Sequence, residues 1–339
     1  MTHSYRLLAV MLGIVFTFSV LAGTNNAFAI DKAAMTAEVS NPEAIQTISN
    51  GYIAVFYDDT TGRYQFRTGL LHSSPDVRIL FPVGTGFDTV RSITSGTDYV
   101  PGVGLGVPAI ATTPTSVTFT WNVIANGDNL TIKRSIVITG TTEADSNVRV
   151  TTTVFNNSLG SATVAIRHFW DYQIDGDDGP LYATRTPDDA FSFLEREFLP
   201  PTHLFAAIDD NVGDPTQTAA VADRADQVRE VYGRWPSMVG TSYAYVATVG
   251  ANADGDSAVL FYSKDYLLPS GGIAEFWTAI APTETNPCPD CMVGGEFLPI
   301  NTTALLLAEV QTNAVWILSA LAVIGSVTFG ALYITTKRN

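Results

Sequence analysis

Between Gly51 and Phe155, apolar and β-branched residues fall at every second position in six runs: Gly51 to Tyr57, Arg63 to Thr68, Val77 to Phe81, Ser116 to Ile124, Leu130 to Thr139 and Val148 to Phe155. That period turns alternate side chains to opposite sides of an extended backbone, so each run predicts a strand with one buried face. Between them sit Asp58-Asp59-Thr60-Thr61-Gly62, Asn126-Gly127-Asp128-Asn129 and Asn156-Asn157-Ser158-Leu159-Gly160, whose residue types accept positive φ or form side-chain turns. Hairpins on short loops follow. Further strands are expected at Ala162 to Tyr172, Thr241 to Val249, Ser257 to Tyr262 and Ile273 to Ile280. The stretch Asp188 to Val231 lacks clean alternation and carries Pro200-Pro201. It reads as a loop-rich excursion, with Thr218 to Glu230 as a short helix on its Ala, Asp and Arg content.

Two apolar runs do not alternate, and both are terminal. Leu7 to Leu21 follows the basic Arg6 and leads to Ala27-Phe28-Ala29, the layout of a secretory signal with a small-x-small cleavage site, so residues 1–29 are expected to be removed. Ala314 to Ile334 is uncharged and closed by Lys337 and Arg338. Its 21 residues reach about 31 Å as a helix, the thickness of a hydrocarbon core. With the N-terminus exported, the tail 335–339 lies in the cytoplasm, as the positive-inside bias requires. The expected organisation is signal peptide 1–29, ectodomain 30–281, stalk 282–313, membrane helix 314–334 and cytoplasmic tail. The fold class is all-β, a large antiparallel β-sandwich plus one C-terminal transmembrane α-helix. The protein is placed at the cell membrane as a single-pass chain with its body outside.

Composition fits a folded body, with 46% hydrophobic and 11% aromatic residues. The chain has 18 basic against 33 acidic residues. Setting aside Arg6, Lys337 and Arg338 leaves the exported part near −18, a field that repels phosphate backbones and argues against nucleic acid as a partner. Cations, neutral glycans or other envelope proteins suit it better, as does plain solubility.

Candidate chemistry is sparse. Asp171, Asp175, Asp177 and Asp178 gather oxygen ligands of the kind calcium takes from a flexible turn. An EF-hand begun at Asp171 would put Tyr182 where the bidentate Glu belongs, so that motif is excluded and a solvated acidic turn is the plainer alternative. Cys288 and Cys291, in Cys288-Pro289-Asp290-Cys291, are too few for a four-sulfur zinc site. They predict a small disulfide in an oxidising exterior. Sequons at Asn129, Asn156 and Asn301 predict glycosylation, the first two at hairpin turns. Neither a Gly-x-Ser-x-Gly elbow nor a His-Glu-x-x-His helix is present. Glu195 and Glu197, two apart, would share a face of a strand as a glycosidase-like pair or, more plainly, face solvent. Trp121, Trp170, Trp235 and Trp277 would form a sugar platform or core.

Two resemblances complete the reading. Gly294-Gly295-Glu296-Phe297-Leu298-Pro299, with the apolar helix and Lys337-Arg338 after it, resembles the C-terminal sorting and anchoring segments of archaeal surface proteins, loosely of the Pro-Glu-Phe-Gly type. Here the proline follows the Glu-Phe pair instead of preceding it. The long strands and Arg167-His168-Phe169-Trp170-Asp171 running into Asp175-Gly176-Asp177-Asp178-Gly179 resemble galactose-mutarotase-like supersandwich domains. That resemblance implies the fold over Ser49 to Ala281. It also implies that an enzyme of this type would use a histidine and a carboxylate, for which His168 and Glu275 are the candidates. The expected function is a non-enzymatic surface module that binds glycan or calcium or packs among envelope proteins. The alternative is a carbohydrate-active enzyme.

Overall fold

The computed structural model of the chain describes residues 45–82, 84–174, 178–184, 192, 194–201, 204–208, 217–222, 225–235, 238, 243–253 and 255–282. Every named element among them is a strand. In chain order these are β1 (Ile45–Ser49), β2 (Ile53–Asp58), β3 (Tyr64–Thr68), β4 (Phe87–Ser92), β5 (Thr97–Tyr99) and β6 (Ala109–Thr113). Then come β7 (Ser116–Ala125), β8 (Asp128–Thr139), β9 (Asn147–Asn156), β10 (Ala162–Asp171), β11 (Leu181–Thr184) and β12 (Arg196–Phe198). The last are β13 (Leu204–Ile208), β14 (Gln217–Ala222), β15 (Gln227–Arg234), β16 (Ser257–Ser263), β17 (Tyr266–Leu268) and β18 (Ile273–Ala281).

They form an eight-stranded sheet in the order β11-β13-β14-β18-β9-β8-β7-β6 and a seven-stranded sheet in the order β12-β15-β16-β10-β4-β5, with β17 also on β10. A three-stranded sheet, β1-β2-β3, completes the described fold. The strands β7, β8 and β9 alternate as their sequences require, buried at every second position in β9 from Val148 to Asn156. Asn126 and Gly127 supply the two positive φ angles, 54° and 86°, that a two-residue hairpin needs between the paired Ala125 and Asp128.

β10 and β16 differ: all of β16 and nearly all of β10 is buried on both faces. Their inner residues Val164, Ile166, Trp170, Val259 and Phe261 join Val117, Phe119, Ile132, Ile136 and Val150 of the eight-stranded sheet in the main core. On the other face Phe169, Leu260 and Tyr262 join Trp235, Met238 and Tyr245 in a second cluster. A second covering layer is why these strands read as nearly continuous apolar runs.

Three expectations need correction. Thr218 to Glu230 is not a helix: its residues contribute to β14 and β15, which pair with β18 and β16. Sheet pairing overrides the helix propensity of its Ala and Arg. The irregular excursion therefore holds β12, β13, β14 and the start of β15. Val77 to Phe81 makes only isolated bridges, at Arg78 and Leu80, and the described part of Thr241 to Val249 makes no ladder. Tyr243 and Tyr245 pack instead on the outer face of the seven-stranded sheet. Residues 1–29, expected to be a signal peptide, and Cys288, Cys291, Asn301 and the terminal apolar run lie outside the described residues. Among those described, no helix is long and apolar enough to cross a membrane.

Candidate functional site

Strand β10 carries both halves of the motif that stood out in the sequence, and its alternation sends them in opposite directions. His168 and Trp170 point into the main core; Arg167, Phe169 and Asp171 point to the outer face.

On the inner side, His168 is fully buried beside Asp88 of β4, Arg134 of β8, Thr152 of β9 and Thr278 of β18. The Asp88 carboxylate accepts from Arg134 Nε at 2.5 Å, Thr152 Oγ1 at 2.5 Å and the Tyr64 hydroxyl at 3.1 Å. Trp170 Nε1 donates to that hydroxyl at 3.1 Å. Thr152 spends its one proton on Asp88, so toward His168 Nε2, 3.2 Å away, it can only accept. The network thereby assigns the proton to Nε2 and leaves Nδ1 to accept from Thr278 Oγ1 at 2.7 Å. Burial pushes the imidazole pKa down to about 4, outweighing the pull of Asp88, so His168 is neutral near pH 7. For Asp88 burial acts upward, but Arg134 and the hydrogen bonds from Thr152 and Arg134 hold its carboxyl below the ordinary value. Every charge here has a built partner, which is the requirement for a polar group inside a sandwich.

Glu275 does not meet His168. It lies half-buried on β18, one residue from the inward Phe276, with Thr153 Oγ1 at 3.5 Å, on the far side of its strand. Glu195 and Glu197 are both engaged as well. Buried Glu195 accepts from the Tyr245 hydroxyl at 2.6 Å and Thr248 N at 2.7 Å, and Glu197 from Arg229 Nε at 2.7 Å. The tryptophans are dispersed, Trp170 in the main core, Trp235 in the second cluster, and Trp277 under the Arg149 guanidinium at 4.3 Å. Trp121, itself buried, lines an open cleft of about 470 Å³ with Tyr99, Leu105, Val107 and Ile124. No such set makes a flat platform.

On the outer side, β10 ends at Asp171. Carboxylate oxygens of Asp171, Asp178 and Asp256 lie within 4.8 Å of one another, Asp171 buried and the others half-buried. Asp256 arrives because β16 pairs antiparallel with β10, Ala258 opposite Asp171, so the residue two before Ala258 shares its face. Backbone bonds hold the corner: Ser257 N donates to Asp178 O at 2.9 Å, Trp235 N to Asp256 O at 3.0 Å and Phe81 N to Asp171 O at 2.8 Å. Asp175 and Asp177, expected beside them, lie outside the described residues, as does His203. Asp256 carries no local signal, standing 78 residues after Asp178 and 85 after Asp171 in the chain.

The two described sequons differ. Asn129 is partly exposed, its Nδ2 donating to Asn157 O at 3.4 Å. Asn156 is completely buried, and its Nδ2 donates to Gly160 O, Leu268 O and Pro269 O at 2.8, 3.0 and 3.1 Å. A glycan requires that nitrogen, so the folded domain does not admit the modification expected at Asn156.

No family model matches this chain, and no curated protein matches it. Similar solved structures include a protein provisionally described as an aldose 1-epimerase from Escherichia coli K12, 11% identical with a TM-score of 0.47, over 70% of this chain and 98% of that one. A galactose mutarotase-like protein from Lactobacillus casei ATCC 334 is 9% identical with a TM-score of 0.45, over 70% and 99%. An aldose epimerase homologue from Caenorhabditis elegans is 10% identical with a TM-score of 0.43, over 70% and 98%.

Proposed function

We propose that this chain is an extracellular β-sandwich module, tethered to the cell membrane by its terminal apolar run, that binds calcium at Asp171, Asp178 and Asp256. The convergence of the three carboxylates carries the reading. Like charges this close, one of them buried, repel strongly in a low dielectric. A calcium ion takes oxygens at 2.3–2.6 Å, so two ligands on opposite sides of one ion stand about 5 Å apart, and the observed spacing fits. Asp175 and Asp177 are expected to complete the set. The role is structural or adhesive, among envelope components and glycans, and non-enzymatic. The alternative, a carbohydrate-active enzyme working through His168, has against it that both nitrogens of that neutral imidazole are already taken, by Thr278 and Thr152.

Thermal unfolding of the full chain in mild detergent, with chelator and with millimolar calcium, tests the proposal. A saturable rise in midpoint is expected, because a ligand selective for the native state must stabilise it. The rise should vanish in Asp256→Asn. An unchanged midpoint at saturating calcium overturns it.

A further inference from the structure

A second feature of the outer face is cationic. Across the seven-stranded sheet Thr89, Arg167, Tyr262 and Arg229 occupy successive paired positions, with Arg91 and Asp98 paired one step along. In a chain with 33 acidic and 18 basic residues, three arginines thus gather on one small surface. Two have carboxylates at hand: Arg91 Nη1 stands 3.8 Å from Asp98, and Arg229 Nε 2.7 Å from Glu197. Arg167 has none at ion-pair distance among the described residues. It is the most deeply placed of the three, with no exposed surface. Its Nη2 donates to Thr89 Oγ1 at 3.1 Å, while among the described residues Nε and Nη1 meet no acceptor in hydrogen-bonding geometry, the Tyr262 hydroxyl standing close by and Asp98 acting from further off.

A guanidinium does not neutralise itself by losing a proton, so its burial carries a cost of several kcal/mol unless an anion or acceptors compensate. A methionine would fill the same space without that cost. Aromatic rings flank the group: Phe169, 5.7 Å from the guanidinium, and Tyr262, against which Tyr243 packs edge-on at 5.4 Å. Half-buried Tyr243 and Arg91, the latter over the Tyr243 ring at 5.6 Å, form the side of the cluster nearest solvent.

We infer that Arg167 anchors a site for a single anionic group, a carboxylate or sulfate carried on a ring-shaped ligand such as an acidic sugar, with Thr89 orienting the guanidinium and Tyr243 at the approach. The site lies apart from the acid cluster and does not depend on calcium. Two probes, sodium glucuronate and low-millimolar sodium sulfate, separate the carboxylate and sulfate sources. Each is titrated at constant ionic strength against chloride and glucose, on the full chain in chelator, reading the unfolding midpoint. A saturable rise is expected with at least one probe in the native sequence, with apparent affinity at least tenfold weaker in Arg167→Lys and no response in Arg167→Met. Should Arg167→Met fail to fold, Thr89→Val, which keeps the charge but frees Nη2, should weaken binding severalfold. The inference is overturned if neither probe gives a saturable rise, if Arg167→Met responds like the native chain, or if Arg167→Lys and Thr89→Val both bind undiminished.

Discussion

His168 and Asp171 stand three residues apart on one strand, yet they belong to opposite kinds of polar cluster. Around His168 the two sheets supply each charge with its counterpart: Arg134 for Asp88, and hydroxyls for both imidazole nitrogens. Around Asp171 three carboxylates converge, their oxygens within 4.8 Å of one another. The first arrangement is self-sufficient and locks the two sheets in register. The second is where the proposed calcium site lies. The difference teaches that a conspicuous string of residue types says little until the strand's period has sorted it by face.

Four measurements break or sharpen the contrast, in descending size of effect. Arg134→Met should cost about 3–5 kcal/mol in urea unfolding, since it strands the buried Asp88 charge. A cost under about 1 kcal/mol would mean that the inner cluster is not charge-balanced by Arg134. The pH profile comes next. A histidine with a folded pKa of about 4 and an unfolded value near 6.5 binds fewer protons when folded. Stability is therefore complete above pH 6.5 and falls by about 3 kcal/mol as the pH drops to 4. The lowered carboxyl of Asp88 adds a loss of the same sign below its ordinary value. In His168→Gln the slope between pH 6.5 and 4 should flatten, and persistence of the full slope would assign it elsewhere. Third, on the proposed calcium reading Asp256→Asn should forfeit the calcium-dependent part of the stability, about 2.7 kcal/mol at a calcium concentration a hundredfold above its Kd. Equal stability of the variant and the native chain in saturating calcium would make the outer cluster independent of the ion. Last, Glu275→Gln should move stability by no more than about 0.5 kcal/mol and leave the pH slope alone, as befits a half-buried carboxylate outside both clusters.

The sequence was most legible where one face of a strand meets the core and the other meets solvent. β7, β8 and β9 could be read within two residues at each end because Thr118, Thr120, Thr151 and Thr153 separate buried neighbours. β14 and the start of β15 were illegible because Ala219, Ala220 and Ala222 favour a helix locally, and only pairing with distant β18 decides otherwise. Tyr243 and Tyr245 alternate like a strand yet cover one, a distinction set by a layer that periodicity does not encode. At the acid corner, Asp171 and Asp178 announced themselves by proximity in the chain. Asp256 entered through the register of β10 with β16, and Arg167 drew notice only as the neighbour of a histidine.

The amide of Asn156 ties the turn after β9 to the loop before β18 through three carbonyls. Sugar transfer and closure of that end of the sandwich compete for one nitrogen, so in a chain exported as proposed their order would be decisive. A chain glycosylated there before β17 and β18 emerge would be barred from its final shape, whereas one that closes first would hide the acceptor for good.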